Sequence, residues 1–479
     1  MKSLFGIIML TTSLAASAKL VVYPAGRGVE TLGDFTVEVC QAQGPWQNVD
    51  VYPVKVDRVG NGRHNVEVAS MAYFDFDGSV DVRVISHRQK PDTARIRPLS
   101  YGVDCHIAGD TVSFSLARPS NISVEINGDI FHNLHLFANP LDTERPTESQ
   151  IKKDDKLLYY GPGLHQLPGD TLRVASGTKV YVDGGARVLG TFIAEGVHDV
   201  SFCGRGEIHP RGRGAGIEIR RSHDISAEGV IVTQLPTGQS HNVNIDNVKS
   251  ISSYGWGDGM NVFAGHDIHY NNVFCRNSDD CSTVYATRKG FVGGCHDIVM
   301  ENSTLWADVA HPIMIGLHGA ATEIGVDAPA DTISGILYRN IDILDHAEEQ
   351  IDYQGCLAIN CGDNNVVRDV TFDDIRVEDF RRGQLFNIRI FFNHKYCAAP
   401  GRSVENVTLR NISYNGTGDE LSIIAGYDAD HRVGGITFDN LTINGRHIHD
   451  DMPGKPKWYK TSDFARIFIG EHVDNVVFK

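Results

Sequence analysis

The hydrophobic pattern divides the chain into two unlike parts. From residue 19 to about 150, short stretches alternate apolar and polar positions, as in Phe35-Thr-Val-Glu-Val39, Val82-Arg-Val-Ile85 and Val112-Ser-Phe-Ser-Leu116. Alternation with a period of two buries one face of a strand and wets the other. Strands of this kind bounded by turn-rich segments predict an antiparallel β-sandwich. Asn139 to Lys156 is polar and carries Pro140 and Pro146. It reads as a linker or an approach to a second domain.

From about Tyr159 a loose repeat takes over: an apolar alternating run, then Asn, Asp or Gly, then another apolar residue. Ile268-His-Tyr-Asn-Asn-Val273, Ile336-Leu-Tyr-Arg-Asn-Ile341 and Ile436-Thr-Phe-Asp-Asn-Leu441 are examples. The punctuating residues are Gly204, Gly229, Asn247, Asn272, Asn302, Asn340, Asp374, Asn411 and Asn440, spaced 18 to 38 residues apart. Short strands repeated at this interval, with no helical periodicity between them, predict a solenoid. Each coil adds one rung to each of several parallel sheets. Asn suits a corner because it tolerates left-handed backbone, and its amide can bond the Asn of the next coil. The variable spacing puts extra residues into loops that wall one face. Leucine-rich and propeller repeats are the competing architectures, but neither the Leu spacing nor a Trp-Asp signature is present. The expected fold is all-β: an N-terminal antiparallel β-sandwich over 19–150 and a right-handed parallel β-helix over 151–479.

Charge and composition narrow the partners. The formal charge of -16 over 479 residues argues against nucleic acid and anionic membranes, which need clustered Lys and Arg. No segment after the N-terminus approaches the ~18 apolar residues of a membrane span. Residues 1–18 read as a signal peptide: Lys2, an apolar run from Leu4 to Leu10, and the small-x-small site Ala16-Ser17-Ala18. The expectation is a secreted protein (periplasmic if bacterial) whose mature chain starts at Lys19. In such a compartment some of the nine cysteines should pair. Cys275/Cys281 and Cys356/Cys361 are spaced to staple loops, and the odd count leaves one thiol over. No Cys-x-x-Cys pair is followed by a second at zinc spacing, so no metal site is expected.

The densest chemistry lies between Trp256 and Gly319. Gly255-Trp-Gly-Asp-Gly259 is followed by Asn277-Ser-Asp-Asp-Cys281 and by His311-Pro-Ile-Met-Ile-Gly-Leu-His-Gly319. Asp258 and Asp279 are about one short coil apart, which places them on neighbouring rungs spaced about 4.8 Å. Glycoside hydrolysis needs one carboxyl to protonate the leaving oxygen and another, in an inverting enzyme, to activate water from the far side at about 6.5–9.5 Å. Three clustered carboxylates repel one another, so at least one pKa rises and a proton donor results. Successive strand residues point to opposite faces, so Asp279 and Asp280 share a cleft only if the backbone bends beside them. A turn or calcium site is the bland alternative for the Asp-Asp pair. Trp256, Tyr285, Trp306 and Tyr353 are candidate sugar platforms, each competing with a core role.

Gly-Asp-Gly, then Asn-x-Asp-Asp-Cys, then His-Gly resembles the motif set of the polygalacturonases and their β-helix relatives. Where that family has Asn-Thr-Asp, this chain has Trp256-Gly257-Asp258, so only Asp258 carries over. The resemblance implies that Asp279 is the general acid and that Asp258 and Asp280 hold and activate the water. It implies a substrate contact for His318, with His311 competing, and for Arg389, although Phe391 replaces the family's Lys and the next Lys is Lys395. A sandwich followed by a β-helix is also similar to dextranase and isopullulanase, which act on neutral α-glucans. The function this implies is a secreted inverting glycoside hydrolase. It would take a polysaccharide of galacturonan or neutral α-glucan type, act as a monomer and need no cofactor. A β-helix polysaccharide lyase and a non-catalytic carbohydrate-binding solenoid are the alternatives.

Overall fold

The computed structural model describes residues 19–41, 44–60 and 62–479. The expected signal peptide lies outside the described residues. Two sheets form the N-terminal part. One joins Leu20–Val22, Val51–Gly60, Arg63–Phe76, Asp129–Asn139, Ser120–Ile126 and Ala94–Arg97. The other joins Gln47–Val49, Phe35–Cys40, Val80–Ser86, Thr111–Leu116 and Cys105–Ala108. Their alternating apolar residues, among them Val37, Val82, Phe114 and Leu136, fill the space between. One pairing departs from the antiparallel expectation: Asp129–Asn139 runs parallel to Arg63–Phe76. A tight turn at Asn127-Gly128, both left-handed, returns this strand from Ser120–Ile126. It then docks its free edge on Arg63–Phe76.

Arg63–Phe76 explains how the two parts join. Its Ala72, Phe74 and Phe76 face the sandwich core. Ala69, Met71 and Tyr73 face the other way, onto Ile231, Ile251 and Phe274 of the second part. A sheet buried on both faces becomes the layer between two cores. Arginine pairs cross that layer: Arg205 with Asp75 at 3.0 Å and Arg97 with Glu378 at 2.6 Å, each partner from the opposite part.

Residues from Leu157 to Phe478 form a parallel β-helix of 28 paired strands. The strands pair in parallel from coil to coil, except that Arg446–Ile448 folds back antiparallel on Arg432–Ile443, and inward Val, Ile, Leu and Phe stack into one continuous core. All nine punctuating residues adopt positive φ, from 52° at Asn272 to 121° at Gly204. The amide ladder forms in part: Asn272 Nδ2 donates to Asn247 Oδ1 at 3.2 Å, and Asn340 Nδ2 to Asn302 Oδ1 at 2.7 Å.

The expected cysteine pairing is corrected. All nine cysteines are free. Cys275, Cys281, Cys356 and Cys361 belong to the apolar interior, where each packs as a small hydrophobe rather than bridging a loop. The polar stretch Asn139 to Lys156 has structure of its own. It contains a helix, Glu148–Lys153, with a Thr147/Gln150 capping box, and Arg145 pairs with Asp183 of an early coil at 2.9 Å.

Candidate active site

Long loops between later coils enclose a cleft of about 820 Å³ whose lining includes Asp258, Asp279 and Asp280. Sheet register places the first and last of these. Met260 aligns with Ser282, and Ser282 with Ile313. Carried two residues back, the register stacks Asp258, Asp280 and His311 in one column. Backbone bonds from Gly259 N to Asp280 O and from Cys281 N to His311 O, both 2.8 Å, hold it there. Asp279 stands one position earlier. The chain bends at Ser278 and Asp279 between the strands Phe274–Asn277 and Ser282–Tyr285. That bend frees the Asp-Asp pair from strand alternation, and both carboxylates reach the cleft.

The three carboxylates sit in different surroundings. Asp280 is held by three bonds: it accepts from His311 N at 3.1 Å, His311 Nδ1 at 2.7 Å and Tyr285 Oη at 3.0 Å. The other nitrogen of His311 lies 2.7 Å from the Tyr353 carbonyl. A carbonyl only accepts, so Nε2 carries a proton. Burial opposes charge on His311, but Asp280 outweighs it and lifts the pKa above the ordinary value. The two therefore form a buried ion pair. Asp258 receives one bond, from Asn261 Nδ2 at 2.5 Å. Burial, then Asp280, push its pKa up to about 6. Asp279 accepts only the Asp280 N–H, at 3.0 Å. Burial, then Asp258 and Asp280, raise it well above the usual carboxylate range. One fixed anion thus stands beside two carboxyls that hold protons unusually tightly.

The remaining candidates separate. Trp256 lines the cleft and is 75% exposed. His318 also lines it, edge-on to Tyr285 at 5.1 Å between ring centres. Burial, then Arg288, push its pKa down to about 3, so it stays neutral. Arg389 is not among the lining residues; it donates to the Asp352 carbonyl and stacks on Phe391. Lys395, Arg288 and Lys289 do line the cleft. Trp306 is no sugar platform. It is fully buried at the junction of the two parts, with the Arg276 guanidinium 4.0 Å from its ring centre. Tyr285 and Tyr353 are buried supports of Asp280 and His311 rather than exposed platforms.

One part of the site comes from the sandwich. His64, on the hairpin of Val51–Gly60 and Arg63–Phe76, lines the cleft. Its Nδ1 lies 2.6 Å from Asp57 Oδ2, which also accepts from Tyr254 N at 3.0 Å and Gly255 N at 3.1 Å. Tyr254, Gly255 and Trp256 have φ of 74°, 67° and 48°. Two aromatic residues in left-handed backbone are strained, and their consecutive N–H groups form a cup suited to an anion. The Asp57 carboxylate fills that cup and holds the loop that presents Trp256 beside Asp258. Asp57 reads in the sequence as an ordinary strand residue, because the loop it holds lies almost two hundred positions away. Asp57→Ala is expected to raise hydrogen exchange at Tyr254 and Gly255 about tenfold or more, in line with loss of ~1–3 kcal/mol of restraint. Exchange unchanged in that variant, measured by mass spectrometry, would refute the clamp.

No protein-family model and no curated protein matches the chain. Among solved structures it is similar in fold to Dex49A from Penicillium minioluteum, at 12% identity and a TM-score of 0.51, covering 94% of this chain and 96% of that one. The Family 28 exopolygalacturonase of Yersinia enterocolitica matches at 12% identity and a TM-score of 0.46, over 84% of this chain and 96% of that one. At such identities the likeness is one of fold.

Proposed function

We propose that the protein is an inverting glycoside hydrolase acting on a polysaccharide or oligosaccharide, with Asp279 as general acid and Asp258 and Asp280 holding and activating the water. The supporting observation is the division of labour among the carboxylates. Asp279 has few bonds and a strongly raised pKa, as a proton donor requires. Asp258 ionises near pH 6, so it can take a proton from water at neutral pH. Asp280, locked to His311, supplies a fixed negative charge beside a developing oxocarbenium ion. The chemistry is balanced by water: the acid's proton leaves with the departing sugar oxygen, and the attacking water gives its proton to the base.

The sugar is open between two classes. Trp256 would stack on any pyranose face, as a neutral α-glucan needs. Arg288, Lys289 and Lys395 on the cleft wall favour an acidic glycan of galacturonan type, since cations grip carboxylates. Incubation with galacturonan, rhamnogalacturonan, dextran and pullulan, followed by product chromatography, discriminates. Proton NMR of the first-formed anomer tests inversion, and retention would overturn it. Products absorbing in the ultraviolet would instead signal the double bond of a lyase. Of the cations near the aspartates in sequence, Arg276 is committed elsewhere, paired with Asp308 at 2.9 Å. That leaves Arg288 and Lys289 as the nearby bases a lyase could use.

The pH profile follows from the same groups. Activity is expected to rise as pH climbs through about 6 and Asp258 ionises, and to fall once Asp279 loses its proton. The two limbs belong to the coupled set rather than to either residue alone. Asp280 raises the Asp258 pKa, so Asp280→Asn should move the acid limb to lower pH, even with reduced turnover. An acid limb that stays in place contradicts the assignment.

A further inference from the structure

Apart from the residues that line the cleft, five histidines form a column on the outside of the β-helix. The register pairs His198 with His223, His223 with His241, His241 with His266 and His266 with His296. Neighbouring rings are 5.4, 5.1, 4.9 and 4.6 Å apart between centres and lie within 17° of parallel. After each histidine comes a left-handed corner residue: Asp199, Asp224, Asn242, Asp267 or Asp297. In four of the five rungs the Nδ1 atom lies 2.7–2.8 Å from the carboxylate of that next residue. Asn242 is tied to Asp224 of the rung before.

This arrangement decides the tautomer. A carboxylate accepts, so the neutral ring carries its proton on Nδ1 and leaves the Nε2 lone pair free. The four paired side chains are 40–53% exposed. A histidine that donates one nitrogen to a carboxylate and offers the other is the arrangement found around bound metal ions. The rungs are about 4.8 Å apart. A tetrahedral ion with bonds of about 2.0–2.1 Å needs its two nitrogens about 3.4 Å apart. The stacked rings start with nearly parallel lone pairs, so each of two neighbours must turn by about half the tetrahedral angle to aim its Nε2 at one ion, a turn their exposure leaves room for. Among the described residues no three ligating side chains converge on one point, so water must complete the shell. Each Nε2 has one lone pair, so one rung serves one ion.

We propose that this column binds divalent transition-metal ions such as Zn(II) or Ni(II), each between the Nε2 atoms of two consecutive rungs, with at most two ions on the five imidazoles. An ion held this way ties one coil to the next and stabilises the solenoid by mass action.

The test uses the whole mature chain with ZnCl₂ or NiCl₂ alone, at pH 7.5, by calorimetry and thermal unfolding. His223→Gln combined with His266→Gln leaves three histidines but no adjacent pair. Wild type should bind up to two ions and melt at a higher temperature with metal; the double variant should lose both effects while keeping its metal-free melting point. Asp224→Ala should weaken binding about 10–100-fold by removing the carboxylate behind one ring. The His447–His449 pair, 4.6 Å apart, is intact in every variant. The proposal is overturned if wild type binds no ion, or if the double variant binds as wild type does, which would assign the ions to that pair or to surface carboxylates.

Discussion

Asp279→Asn is expected to lower turnover of the cleaved glycan by about 10²–10⁴-fold, the usual contribution of a general acid, without loss of the fold. The substitution keeps side-chain size and removes the proton that the leaving oxygen needs. It also removes the cost of folding a carboxyl that is ionised in the unfolded chain into a site that disfavours its charge, so the variant should be more stable than wild type at neutral pH. The sign follows from linkage: the pKa of Asp279 is raised in the folded protein, so the native state binds its proton more tightly than the unfolded chain does. Stability is therefore lost as pH rises from the unfolded value toward the folded one. The advantage of the variant should vanish at pH 3, where both states are protonated. Turnover within threefold of wild type in a folded variant would remove Asp279 from the acid role. A stabilised but inactive variant is the expected trade-off at a strained site.

Asp308→Ala should cost about 3–5 kcal/mol of stability, the usual penalty for stranding one member of a buried ion pair. Asp308 accepts from Arg276 Nε at 2.9 Å and from Nη2 at 3.1 Å, and both side chains have no exposure. Without it Arg276 keeps only Asn133 and His135, neutral groups of the sandwich, at 2.9 and 3.2 Å. Arg381, 3.7 Å from Asp308, loses a secondary contact but keeps its pair with Asp345 at 2.6 Å. Urea unfolding measures the loss. A change below about 1 kcal/mol would mean that water or a rearranged partner neutralises Arg276. Replacing the pair together, as Arg276→Met with Asp308→Leu, should recover much of the stability because no charge is left behind. Asp308 also accepts the Asp57 N–H at 3.2 Å, so the single variant should loosen the clamp on the Trp256 loop as well.

Local rules were legible in the sequence. Period-two alternation identified the strands, since burial of one face depends only on neighbours in the chain. The Asn, Asp and Gly corners were legible because left-handed backbone is a property of single residues. A second corner column, running from Asp199 to Asp297, follows the same rule. It was missed because these Asp residues follow exposed His rather than an apolar run. Asp258, Asp279 and Asp280 were found by their spacing. That spacing could not say which of them are in register: the true stack is Asp258 with Asp280 and His311, because the bend at Ser278 shifts Asp279 off the column.

The sequence by itself determined the two-part all-β organisation, the solenoid and the set of carboxylates, all consequences of short-range sterics and patterned burial. Only the tertiary structure decided what those carboxylates are. Their proton affinities depend on burial and on charges brought in from other coils, and the loop beside them is held by Asp57 and His64 of the other part. It also turned Trp306 and the cysteines of the β-helix into core residues and tied Arg389 to the Asp352 carbonyl and the Phe391 ring. Each of those outcomes depends on which side of a rung faces which neighbour, and that is settled by packing between coils and sheets rather than by any residue's own preference.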